Sequence, residues 1–309
     1  MIDRLLLAAL LLCGSEIVLW TNPPARPLAD WLILAPAYVL FSALLLDLAA
    51  RFRVRDLYGL MALAGLYGLL NALLINPDSA LIDMPRTLFT RALGAHALIG
   101  LLALALYGYG GRWRLSLTAA GAAITGGLWG HWARLSPVEF YGASESSLLT
   151  IALYSAIGLA PIAAALALYG LWEGDARDLR LTPIPSVVIC AALIGLAILR
   201  AAQGMIDATS ALIVVMLAAY CLAILWFQRR KKGAALVDSP APPSLRRFVA
   251  LAFAFAIGAV PGWTIARGDP DLLGVIAVLF AAYGLVWLPA LSLTLGTRAF
   301  IRQARAQGF

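Results

Sequence analysis

The sequence predicts an all-α, polytopic integral membrane protein with about ten transmembrane helices. Of its 309 residues, 62% are hydrophobic and only 13% are charged, and the mean hydropathy is +0.89. Soluble domains are about half apolar and about a quarter charged, so a water-soluble fold of this composition would lack a polar surface. Apolar runs of about 20 residues, the length that crosses a bilayer, recur along the chain. Strands of a membrane barrel would be about half as long and would alternate polar with apolar residues, which these runs do not.

Each apolar run is expected to form a helix, because a lipid-exposed segment must satisfy its backbone hydrogen bonds internally. Short loops that carry charged residues, glycine and proline separate the runs. The predicted segments are 4–21, 28–50, 56–75, 87–110, 115–134, 146–172, 183–202, 207–228, 245–265 and 271–297.

The loops predict the orientation of the chain. Ten crossings sort them into two sides, and 17 of the 23 basic residues fall on one side. Basic residues concentrate in cytoplasmic loops of membrane proteins, so this side is predicted to be cytoplasmic, with both termini in the cytoplasm of a multi-pass cell-membrane protein. Acidic residues lean the other way. The six basic residues assigned to the outer side are Arg26, Arg86, Arg91, Arg134, Arg200 and Arg267.

The ten segments form five hairpins that leave the cytoplasm and return. Four of the five outer turns place Asn, Ser or Asp directly before a proline: Asn22-Pro23, Asn76-Pro77, Ser136-Pro137 and Asp269-Pro270. Proline disfavours the helical conformation in the residue before it, so the outgoing helix is expected to stop there. The same turns are consistent with an internal hairpin repeat of about 55–60 residues or with ordinary helix stops.

The whole of residues 1–309 is predicted to be one transmembrane helical domain. Residues 229–247, which include Arg229-Arg-Lys-Lys232 and several prolines, are predicted to form a mobile cytoplasmic linker or a basic anchor before the last hairpin. The net charge of +7 predicts contact with membrane lipids, including anionic headgroups at the cytoplasmic face. No soluble basic domain is present in the pattern, so we do not expect a nucleic-acid partner.

Polar residues near the outer ends of the helices are the candidate substrate-binding residues. Ionisable groups at membrane depth are costly, which makes them functional candidates. Counting back from each outer end predicts one such group per hairpin, one to two turns below the surface, around a shared cavity open to the outside. These groups are Glu16, Asn71, His131, Arg200 and Trp263. The alternative is that each lies shallow enough to reach headgroups or water.

His96 lies deeper, between alanines in the fourth segment, and is a candidate for proton relay or a satisfied core residue. Asp47 and Arg51 have the i, i+4 spacing of a helical ion pair. With two histidines, and with Cys13, Cys190 and Cys221 all in apolar segments, we expect no metal site, haem or other cofactor.

Catalytic motifs are absent, and we assign no catalytic residue. The sequence contains no paired-aspartate motif, no Gly-x-Ser-x-Gly, no His-Glu-x-x-His and no Walker loop. Glu139, Glu145 or His131 could still serve as acid and base toward a lipid-linked substrate. An enzyme is therefore the least favoured of three hypotheses.

The favoured hypothesis is a transporter or permease for a small solute or lipid-like molecule. Ten helices with both termini inside resemble the layout of drug/metabolite-type transporters, in which two halves enclose a central site. The resemblance implies a path lined by Glu16 and Asn71. The second hypothesis is a non-catalytic membrane subunit or lipid-binding scaffold, which would have a membrane protein partner.

Overall fold

The fold is helical, as the sequence predicts. The computed structural model describes residues 1–19, 28–142, 144–171, 179–229, 235–266 and 271–306, and these ranges contain no β-strand. The α-helices in chain order are α1 Ile2–Leu12, α2 Leu28–Arg51, α3 Leu57–Leu74, α4 Pro77–Ala80, α5 Ala97–Tyr109, α6 Leu115–Tyr141, α7 Leu148–Leu171, α8 Pro183–Ala202, α9 Ala208–Gln228, α10 Leu245–Ile265 and α11 Asp271–Ala306.

Two of the predicted segments change their helical winding partway along. α1 continues directly into a π-helical segment, Cys13–Val18, which we call the first π segment. A second π segment, Leu88–His96, leads directly into α5. With these two additions, every one of the ten predicted apolar segments coincides with helix. The class of secondary structure in each segment is thereby confirmed.

Eight helices in the described part of the chain are long and apolar enough to cross a membrane. Two predicted segments fall outside this group: 4–21, formed by α1 and the first π segment, and 115–134, which lies in the glycine-rich helix α6. The eight are Ala29–Arg51, Leu57–Leu74, Leu88–Arg112, Leu148–Leu171, Pro183–Ala202, Ala208–Gln228, Leu245–Ile265 and Gly274–Leu293. The chain is accordingly a multi-pass membrane protein, while the count of ten crossings stays a prediction.

Several of these helices leave large apolar side chains uncovered. On α8, Ile184, Val187, Ile194 and Ile198 are all more than half exposed. Contiguous apolar surface of this kind is rare on soluble monomers. Lipid tails would cover it without cost, which agrees with a membrane location.

The predicted proline stops have mixed outcomes. α3 ends at Leu74, and Pro77 opens the short helix α4, so this stop is confirmed. The stop predicted before Pro137 is wrong, because α6 continues through the proline to Tyr141 and ends at Gly142 in a left-handed conformation. Membrane helices tolerate proline where neighbouring groups satisfy the freed backbone. The turns at 22–23 and 269–270 lie outside the described residues.

The chain divides into two compact units. Unit 1 contains residues 1–43, 102–177 and 240–279, and unit 2 contains residues 44–101, 178–239 and 280–309. The expectation of one domain over the whole chain is not tested by this division and stays a prediction.

In unit 1, α6 and α10 pack with their backbones in direct contact. A Cβ atom added at Gly126 or Gly130 of α6 would overlap a carbonyl oxygen of α10, and one at Gly258 or Gly262 would overlap a carbonyl oxygen of α6. Glycine four residues apart on both helices permits this approach, which gains van der Waals contact and Cα–H···O bonds. Gly126 and Gly130 thus allow the close approach of α6 to α10.

In unit 2, Trp287 of α11 lies at the centre of the packing. Its side chain is fully buried, and its indole Nε1 donates to the Met61 carbonyl oxygen at 3.0 Å. The ring lies against Gly65 of α3, where a Cβ atom would overlap it. Tyr220 of α9 meets the same ring edge-on, with 6.4 Å between centroids. One aromatic side chain thus holds three helices together.

Hydrogen bonds fix the ends of helices at the side assigned to the cytoplasm. The ion pair predicted between Asp47 and Arg51 is present at 2.6 Å. Asp47 also accepts from the Leu181 backbone N–H at 2.7 Å, which ties the start of α8 to the end of α2. In the predicted linker, Leu236 N–H donates to the Val54 carbonyl at 2.7 Å. Residues 230–234 lie outside the described part of the chain, and the mobility of 229–247 stays a prediction.

Candidate functional site

The first π segment carries a buried acid. Glu16 is almost fully buried, and the Tyr38 hydroxyl of α2 donates a hydrogen bond of 2.6 Å to Glu16 Oε1. π-helical turns inside helices are rare and frequently mark functional sites, since they displace side chains from the regular helical positions. The segment places an ionisable group in the interior of unit 1, while the depth of Glu16 in the membrane stays a prediction.

The second π segment carries a buried histidine. His96 is its last residue and is buried. The segment packs closely on α3 and α11, because a Cβ atom at Gly68 or Gly284 would overlap one of its carbonyl oxygens. His96 therefore belongs to a π-helical segment whose backbone is in direct contact with the backbones of α3 and α11.

Residues 129–137 of α6 are almost all buried, although the first ten residues of this helix are mostly exposed. The buried side chains in this stretch include aromatic, hydroxyl and ionisable ones. They are Trp129, His131, Trp132, Arg134 and Ser136. A stretch of helix so rich in polar atoms is costly to surround with protein unless those atoms find partners.

Arg134 is the centre of the polar contacts at this end of unit 1. Its side chain is only 5% exposed, whereas the side chain of Glu145 is 49% exposed. Nε and Nη2 of Arg134 both donate to a single oxygen, Glu145 Oε2, at 2.8 Å and 2.6 Å. Nη1 donates to the Trp263 carbonyl oxygen at 2.8 Å. The guanidinium carbon lies 4.3 Å from the centroid of the Trp263 ring, a cation–π contact.

Backbone hydrogen bonds from Ser146 complete this group. Ser146 N–H donates to the Arg134 carbonyl at 3.3 Å, and the Trp263 indole N–H donates to the Ser146 carbonyl at 2.9 Å. We call Arg134, Glu145, Ser146 and Trp263 the arginine cluster. It joins α6, α10 and the segment that leads into α7.

Asn71 and Arg200 lie together in unit 2, at the end of α3. Asn71 is fully buried and accepts from the Asn76 side-chain amide at 2.9 Å. Arg200 Nε donates to the Leu74 carbonyl oxygen at 3.0 Å, and Nη1 donates to Gln203 Oε1 at 3.2 Å. Arginine thereby caps the carbonyl end of α3, where the helix dipole favours a positive charge.

The structure distributes the five predicted cavity residues over the two units. Glu16, His131 and Trp263 belong to unit 1, and Asn71 and Arg200 belong to unit 2. Trp263 joins the arginine cluster, and His131 precedes Arg134 by three residues on α6. Their convergence on one cavity stays a prediction.

Three participants were not among the predicted binding residues. Tyr38 sits within an apolar run, and the sequence gives no sign that its hydroxyl meets Glu16. Arg134 was assigned to the outer surface, and Glu145 was considered only as a loop carboxylate of an enzyme. The signal that could have found Arg134 is its position three residues after His131, which places both on one face of a helix. The side chain of Glu139 lies outside the described part of the chain.

Metal chemistry gains no support from the geometry. In the described ranges, no three His, Cys, Asp or Glu side chains cluster in a way that could hold a metal ion. The expectation that the protein carries no metal or cofactor stays a prediction. Comparison of the chain with protein-family models, curated proteins and solved structures gave no match.

Proposed function

We propose that this protein is a ten-pass transporter or permease of the cell membrane, with both termini in the cytoplasm, for a small solute or lipid-like molecule. The observation that carries the proposal is the pair of π segments. Each unit contains one, and each π segment holds a buried ionisable residue, Glu16 or His96. Transporters place ionisable groups and interrupted helices at membrane depth, because substrate and coupling ions need polar contacts there.

The alternation of five hairpins is supported by the contacts within each unit. Polar contacts join ends that the charge pattern assigns to the same side. On the inner side, Tyr107 donates to Asp3 at 2.9 Å, and Gly111 N–H donates to the Ala241 carbonyl at 2.7 Å. On the outer side, the arginine cluster joins the ends of α6 and α10. A missing crossing would bring ends from opposite sides into contact.

A membrane crossing by α6 is supported by its contact with α10, a helix long and apolar enough to span. Gly126 faces Phe255, and Gly130 faces Ala259 four residues further along, so the two helices run parallel. The hairpin arrangement requires this direction, because both are outgoing segments. Since α6 accompanies α10 along this contact, we infer that α6 crosses wherever α10 does.

Flux measurements with purified protein in liposomes test the proposal. The liposomes contain a pH-sensitive dye and are challenged in turn with small organic acids, amines and sugars. We expect a saturable, solute-dependent response for at least one class, reduced to near the level of empty liposomes by Glu16→Gln and by His96→Ala. Asp30→Asn removes an exposed acid at the start of α2 and serves as the matched control.

Two outcomes would contradict the proposal. Flux that is unchanged in both variants would remove Glu16 and His96 from the mechanism. No flux for any class, together with a stable protein partner after gentle extraction, would favour the scaffold hypothesis instead.

A further inference from the structure

The arginine cluster has the features of an occupied anion site. Arg134 is nearly buried, and its guanidinium is held on one side by the Trp263 ring and at Nη1 by the Trp263 carbonyl. Its remaining contacts, from Nε and Nη2, point to Glu145. A planar guanidinium fixed in this way is suited to bind carboxylate or phosphate oxygens.

The carboxylate that fills this position is not held in the best geometry. Both donors, Nε and Nη2, reach the same oxygen of Glu145, whereas a fork-to-fork pair would use two oxygens. Glu145 is half exposed and lies in a non-helical segment before α7. A half-exposed carboxylate can leave at modest cost, because water solvates it readily.

We propose that Arg134 binds the carboxylate or phosphate group of an anionic ligand and that Glu145 occupies this position until the ligand displaces it. The identification of organic anions as the transported substrates rests on the proposed function, whereas the anion site itself does not. The ligand oxygens would accept from Nε and Nη2, while Trp263 keeps the guanidinium in place. Ser146 remains hydrogen-bonded to Arg134 and Trp263 through its backbone and keeps the segment nearby.

Binding measurements in detergent test the inference separately from transport. Isothermal titration calorimetry uses inorganic phosphate, succinate and a short-chain phosphatidylglycerol as probes, with short-chain phosphatidylcholine as the zwitterionic comparison. Glu145→Gln removes the competing charge and keeps the shape, so affinity for the anionic probe that binds should rise by roughly tenfold. If the protein binds phosphatidylglycerol more tightly than phosphate and succinate, the ligand is a lipid headgroup. If it binds phosphate or succinate more tightly, the ligand is a soluble anion.

Substitutions of arginine supply the decisive comparison. Arg134→Lys keeps the positive charge but loses the paired guanidinium N–H donors. It should weaken binding of the anionic probe by about tenfold or more in the Glu145→Gln background. The matched control is Arg86→Gln, which removes an arginine 76% exposed and paired with Asp83 at 2.7 Å, and should leave affinity unchanged. Melting temperature and gel filtration of each variant establish that the fold is intact.

The outcomes separate this inference from the transport proposal. Equal affinity in the native protein and in Glu145→Gln, or binding that Arg134→Lys does not weaken, overturns the anion site. Anion binding through Arg134 with no flux in liposomes supports the site and contradicts transport. Saturable flux of an uncharged solute that Arg134→Lys leaves unchanged supports transport and contradicts the anion inference.

Discussion

At the scale of single residues, several buried polar side chains of this protein are stabilised by specific partners. Tyr38 donates to Glu16, Asn76 donates to Asn71, and Glu145 accepts from Arg134. Within lipid or protein, water cannot replace a missing partner, so a lone polar group costs several kcal/mol. These hydrogen bonds therefore allow polar side chains to be kept in the interior of the protein.

The hydrogen bond between Tyr38 and Glu16 gives a prediction at this scale. Tyr38→Phe removes the donor and keeps the ring, and we expect it to destabilise unit 1 by about 1–3 kcal/mol, because the buried carboxyl group loses a hydrogen bond. Thermal unfolding in detergent measures the change. Tyr58→Phe, at an exposed position near the start of α3, is the control and should have no measurable effect. Equal melting temperatures for both variants would contradict the prediction.

At the scale of helices, glycine positions decide which helices approach closely. The backbones of α6 and α10 are in direct contact at four glycines, which are Gly126, Gly130, Gly258 and Gly262. Gly68 and Gly284 bring α3 and α11 equally close to the second π segment. Lipid tails are as apolar as leucine, so burial of apolar surface does not drive helices together in a membrane. Close van der Waals contact does, and it requires small residues.

Two glycines on the same helix provide a matched test of this packing. Gly130→Ala would push a methyl group into the Ala259 carbonyl, and we expect a loss of roughly 1–3 kcal/mol in stability, because neither backbone can give way easily. Gly121→Ala places its methyl in open space and should change stability by less than about 0.5 kcal/mol. Unfolding in SDS titrations compares the two variants. A Gly121→Ala variant as unstable as Gly130→Ala would contradict the prediction, because alanine is the better helix former and its methyl group at position 121 meets no neighbour.

At the scale of the whole molecule, the threading of the chain through the membrane depends on whether α6 crosses. The charge pattern and the contacts of α6 with α10 both favour a crossing, although α6 is not among the eight most apolar helices. With α6, five crossings separate Asp83 from Asp238. Without it, four crossings separate them, and both residues would face the same side.

Labelling of single cysteines tests the threading directly. In a background without Cys13, Cys190 and Cys221, we expect Asp83→Cys to react with a membrane-impermeant maleimide in intact cells. Asp238→Cys should react only after permeabilisation. Both positions are about half exposed, so accessibility to water is matched. Labelling of both from outside would mean that α6 does not cross, and the reverse pattern would invert the predicted orientation.

Much of the fold could be predicted because the signals for it are local. Length and apolar content define each helical segment, and the described helix ends lie within a few residues of the predicted ones apart from the far ends of α6 and α11. The prediction at Pro137 was wrong because a proline does not always end a membrane helix. The helix can continue where neighbouring groups satisfy the backbone carbonyl that loses its N–H partner. The depth of Glu16, His131 and His96 in the membrane stays a prediction, since it was counted along each helix from the nearest polar loop.

The candidate site was predictable only in part, because its chemistry depends on contacts between residues far apart in the chain. Sequence alone determined that the chain is a helical, multi-pass membrane protein, because bilayer thickness and backbone hydrogen bonding favour helices for apolar runs of this length. Tertiary structure alone decided that Tyr38 donates a hydrogen bond to Glu16 and that Glu145 accepts the hydrogen bonds of Arg134 Nε and Nη2. It also decided that Cys13–Val18 and Leu88–His96 form π-helix. Those outcomes depend on which helices pack together, and no local pattern of residues specifies that choice.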